Sequence, residues 1–97
     1  MSSVNVDYED LIRFKATLDR NAAHFDEIRK SIGSTIEYIA DTDWQDQKSE
    51  QFRTTFFGQS DPDITKLVNT MTEFSAYLQT KIEILQQYIA TNINFQN

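Results

Sequence analysis

Nine apolar residues in the first half of the chain, Leu11, Phe14, Leu18, Ala22, Phe25, Ile28, Ile32, Ile36 and Ile39, follow one another at steps of three or four. That rhythm places all of them on one stripe of an α-helix. A second series, Ile64, Leu67, Met71, Phe74, Leu78, Ile82, Leu85 and Ile89, keeps the same rhythm. A chain of 97 residues with one Pro and two Gly has few positions that break a helix. The expected fold is therefore all-α, an antiparallel hairpin of two long arms in a single domain.

The boundaries follow from local chemistry. The first helix is expected over residues 6–40, capped by Asn5 or Asp7, with Asp7, Glu9 and Asp10 at the positive end of its dipole. Glu9 with Arg13 and Asp26 with Lys30 are i,i+4 pairs in the favourable order. At 1.5 Å per residue this arm is roughly 50 Å long. Its weak point is Ser31–Thr35, where Gly33 costs about 1 kcal/mol relative to Ala and a bend is expected.

A short helix over 43–58 follows, beginning at Trp44 with Asp43 as N-cap and Asp46 at its third position. Gly58 suits a C-terminal cap. Asp61 then caps a restart with Pro62 at the first helical position, so the second arm is interrupted between Gly58 and Asp63. The second long helix is expected over 62–90, and the amide-rich tail 91–97 is expected to fray. Tyr77, Ile84 and Tyr88 form a flanking stripe on this helix. Two apolar stripes imply two neighbours, the first helix and a partner chain. A hairpin this thin leaves apolar surface uncovered, and domains of this size are marginal on core burial alone.

Composition excludes several functions. The net charge of −6 argues against nucleic-acid binding, which needs clustered Lys and Arg. No apolar run is long enough for membrane insertion. The first seven residues, Met1–Asp7, lack the basic and apolar regions of a cleaved signal peptide. With no Cys and one His, His24, a transition-metal site is not expected, and His24 reads as structural. Asp41, Asp43 and Asp46 fail the calcium-loop pattern: the sixth position is Asp46 rather than Gly and the twelfth is Phe52 rather than Glu. Capping explains these carboxylates. No phosphate loop or nucleophile triad is present, so neither catalytic residues nor a cofactor is expected. Phe14, Phe25 and Phe74 are expected in the core. Adjacent Phe56 and Phe57 point about 100° apart, so only one of them turns inward.

Trp44, the single tryptophan, stands at the turn between the arms, followed by Phe52 and Phe56 at helical spacing. Chain length, two long helices and the turn Trp44-Gln45-Asp46 resemble the WXG-motif family of small type VII secretion proteins, the early secretory antigenic target-like proteins. The resemblance covers nearly the whole chain. It implies a helical hairpin that pairs as a homodimer or a heterodimer, often as a four-helix bundle. The partner would be a related hairpin or the helical N-terminal region of a larger toxin. It implies a protein that is cytoplasmic before export and is secreted without a cleaved signal peptide by a machine with a secretion ATPase. It implies no enzyme activity. The turn motif carries over to Trp44, Asp46, Phe52 and Phe56, with Asp46 in place of the usual Gly. The family's export signal, a Tyr followed four residues later by an acid, falls on Tyr88 and Asn92, where the acid is an amide. Tyr77, Ile84 and Tyr88 are the expected partner face. The alternative is a cytosolic helical adaptor or chaperone for a larger secreted toxin, not itself exported.

Overall fold

The structure is a computed structural model that describes residues 7–40, 42 and 46–96, with only the backbone described for 92–96. Three α-helices make up the described chain: α1 (Tyr8–Ala40), α2 (Gln47–Thr55) and α3 (Asp61–Gln96). A π-helical turn, Phe56–Ser60, joins α2 to α3. The long helices α1 and α3 pack against each other as the arms of an extended hairpin.

Asp7 caps α1: its carboxylate accepts the Glu9 backbone N–H at 3.2 Å, and its carbonyl accepts that of Leu11. The helix is not interrupted at Gly33, and α1 continues to Ala40. Gly33 is buried there for a packing reason. A Cβ added to it would stand 3.5 Å from the Phe57 ring and 3.9 Å from that of Phe56. That is ordinary van der Waals contact, so the site has room for a methyl group. Gly33→Ala is accordingly expected to stabilise the fold by about 0.5–1 kcal/mol through helix propensity. A thermal melt checks this, with a midpoint raised by several degrees as the expected result.

The second helix begins later than the sequence suggests. Asp46 is its N-cap, accepting the Ser49 backbone N–H at 2.7 Å while the Ser49 hydroxyl accepts the Asp46 N–H at 3.2 Å. This reciprocal box fixes the start at Gln47. The assignments of Trp44 to the first helical position and Asp43 to the cap fall outside the described residues.

The interruption between Gly58 and Asp63 is a widened turn, not a stop and restart. Gly58 has no positive φ and so is not a left-handed cap. Asp61 is helical, with φ −63° and ψ −46°, and its N–H bonds to the Phe56 carbonyl five residues back. Its carboxylate accepts from Arg29 of α1 instead of capping α3. At the other end, α3 runs six residues past Ala90, so backbone expected to fray is helical to Gln96.

Three contacts set the antiparallel register: Phe14 with Phe74, ring centroids 5.7 Å apart, the Ser75 hydroxyl donating to the Asp19 carboxylate, and Arg29 with Asp61 at 3.1 Å. In that register Tyr8 lies near the level of residues 80–86, so the last turns of α3 extend beyond α1. Among the described residues the buried apolar ones are few: Ala22, Ile36, Phe56, Leu78 and Ile82. The molecule measures 74 × 25 × 14 Å. It is two helices wide and about one helix thick.

Candidate interaction surface

The apolar stripes are wider than the line along which α1 meets α3. Phe14, Phe25 and Phe74, expected in the core, are instead 45%, 38% and 41% exposed. The cause is geometric, because two helices share one seam and residues off that seam face outward. Phe14 meets Phe74, and Phe74 stacks on Tyr77 at 5.4 Å, which places side chains of both arms on the same face. The Lys81 ammonium stands 5.4 Å from the Tyr77 ring centre.

Helical steps of seven, eleven or fourteen residues return within about 40° of the same direction. By those steps Phe25 and Ile28 follow Phe14, Leu67 follows Phe74, and Ile84 and Tyr88 follow Tyr77. All of these are exposed large hydrophobics. The flanking stripe Tyr77, Ile84 and Tyr88 thus lies on the same broad apolar face. Tyr88 belongs to the overhanging part of α3, together with the backbone of Asn92, whose side chain lies outside the description.

At the turn end, α2 stands off from α1 and leaves an apolar groove of about 580 Å³. Ile32, Ile36, Ile39 and Phe52 line it, with Lys48, Glu50 and Arg53 on its rim. Arg53 is paired with Glu50 within α2. None of the nine residues of α2 is buried, and Phe52 is 58% exposed. Phe56 beside it is 4% exposed, stacked on Phe52 at 6.4 Å and edge-on to Phe57 at 5.2 Å. Of the turn motif, Asp46, Phe52 and Phe56 are therefore placed as cap, groove wall and anchor, and Trp44 lies outside the described residues.

Charge at the seam is organised by two carboxylates. A hydrogen bond from Lys15, and then one from Ser75, holds the Asp19 carboxyl below its usual range. Lys30, and then Arg29, does the same for Asp26. Arg29 is raised in turn, first by Asp61 and then by Asp26. The expected Asp26–Lys30 pair forms at 3.0 Å, whereas Arg13 turns to Asp10. Carboxyls depressed in the folded state contribute stability above the unfolded value near 3.9, and that contribution is lost as pH falls through the folded value. The melting temperature is thus expected to fall below about pH 4. Asp19→Asn with Asp26→Asn flattens that acid limb, which melts at stepped pH check.

The sequence alone pointed to neither Arg29 nor Ser49, and to Gly33 only as a weak point of the first helix. Asp46 and Ser49 carry a local signal, a capping residue followed three positions later by a side-chain acceptor. Arg29–Asp61 spans 32 positions and needs the hairpin register to be seen.

Among the described residues no helix is long and apolar enough to cross a membrane. Comparison with curated proteins finds no match, and comparison with solved structures finds none. A family model described as proteins of 100 residues with WXG, WXG100, matches residues 3–88. With that match over most of its length, and with the hairpin its helices form, the chain belongs to the WXG100 family of small helical proteins associated with type VII secretion.

Proposed function

We propose that this chain is a type VII secretion substrate or export partner, not an enzyme, and that it works by helix–helix pairing. Two hairpins laid face to face would form a four-helix bundle, with a second copy, a related hairpin or the helical N-terminal region of a larger toxin as partner. The observation that carries this reading is the open apolar face. The chain exposes 7,630 Å², against about 5,700 Å² for a compact monomer of its mass. The excess, about 1,900 Å² on this one chain, is more than the roughly 800 Å² that each partner buries in a standard protein–protein interface.

Tyr88 and the end of α3 are the proposed recognition element for the secretion ATPase. Asn92 stands where the family pattern has an acid, which favours export as part of a pair whose other member supplies the complete signal. The test is secretion from the native host. The protein is expected in culture fluid when the secretion ATPase is intact and absent from it when the ATPase is inactivated. Protein confined to cells of an actively secreting strain would instead support the adaptor or chaperone reading.

A further inference from the structure

We infer that Pro62 and the π turn together act as a phase-setting device for α2, one that decides which side chains of α2 face α1 across the groove. This holds whatever the partner's identity. The turn Phe56–Ser60 contains one residue more than an α-helical path of the same rise, and its signature is the Asp61 N–H bonded to the Phe56 carbonyl rather than to that of Phe57.

The consequence is a rotation. One residue of an α-helix is about 100° of turn. With α3 held fixed, each residue before the π turn stands where its successor would stand in an unbroken helix. In the observed phase Phe56 fills the buried position and Phe52 walls the apolar groove. Without the extra residue, Phe57 takes the place of Phe56 and Arg53 takes the place of Phe52. A guanidinium would then face Ile32, Ile36 and Ile39. The two adjacent aromatics make the alternative accessible, because either ring can fill the position near Gly33 that both now approach.

Pro62 is what selects the wider turn. It has no N–H to give the Gly58 carbonyl four residues back, and in a regular α-helix its ring would press on that carbonyl. A π turn placed just before it removes the conflict while keeping the chain helical. Space around Gly58 does not force the choice, since a Cβ there would meet nothing within 4 Å.

The test uses isotope-labelled full-length chain and Pro62→Ala. NMR couplings across hydrogen bonds identify the carbonyl that accepts the Asp61 amide. In the parent chain the acceptor is expected to be Phe56, and in Pro62→Ala it moves to Phe57. Stability gives the second readout. Phe56→Ala lowers Tm more than Phe57→Ala in the parent chain, and the order reverses in the Pro62→Ala background. An acceptor that stays on Phe56 after Pro62→Ala would overturn the role of Pro62. An acceptor that moves without reversing the order of the two Phe substitutions would overturn the phase claim.

Discussion

Phe56→Ala is expected to lower stability by about 3–5 kcal/mol, the cost of removing a packed Phe side chain and leaving a cavity. Phe56 is among the most buried side chains of the molecule, and it stands where α1, α2 and α3 come closest to sharing a core. For a domain of this size each kcal/mol shifts the melting temperature by about 4–8 °C, so the loss exceeds about 12 °C. Its neighbours provide the scale. Phe57 is 39% exposed and Phe52 more so, and each is expected to cost less than half as much on truncation to Ala. Melts are compared at equal chain concentration, because self-association raises apparent stability by mass action. A loss under about 1 kcal/mol would mean that the site is not packed as described.

The second large effect is on association. Phe74→Glu places a carboxylate at the centre of the Phe14–Phe74–Tyr77 cluster, on the face proposed to meet a partner. Truncating a central aromatic anchor costs 2 kcal/mol or more, and a buried unpaired charge adds to it, so pairing is expected to weaken at least about 30-fold. The isolated hairpin feels the change less, since Phe74 is already partly in solvent. Ala23 is the control position. It is exposed and lies nine residues from Phe14, half a helical turn away in direction. Ala23→Glu is expected to leave association unchanged. Equal weakening by both substitutions would mean that net charge, not this face, governs pairing.

The two arms were legible in the sequence because a rhythm of threes and fours over thirty residues has one common cause. The contribution of each stripe residue was less legible. Periodicity reports which residues share a side of a helix, not how wide a neighbour that side will have. Phe14, Phe25 and Phe74 satisfy the pattern yet sit on an open face, because a hairpin supplies only one neighbour. The same logic made Tyr77, Ile84 and Tyr88 readable as a flanking stripe, and the structure leaves all three exposed.

The region from Gly58 to Asp63 shows a different limit. Gly, Asp and Pro each carry a local preference, and together those preferences suggest a stop followed by a restart. The chain instead stays helical by widening one turn, a solution stabilised by the anchoring of Phe56 and by the Arg29–Asp61 contact. Those two contacts are not local properties of that segment, whereas the missing N–H of Pro62 is. Asp46 shows the converse case. Its role as cap depends only on Ser49 three residues on, so it was available to local reasoning.

Sedimentation of the purified chain across a dilution series tests most directly whether the open face is a pairing surface. Alone, the chain is expected to sediment at twice its 11.3 kDa mass where it is folded, or to fold only when a partner hairpin is added. A stable, fully folded monomer of 11.3 kDa at micromolar concentration, with no partner present, would contradict it.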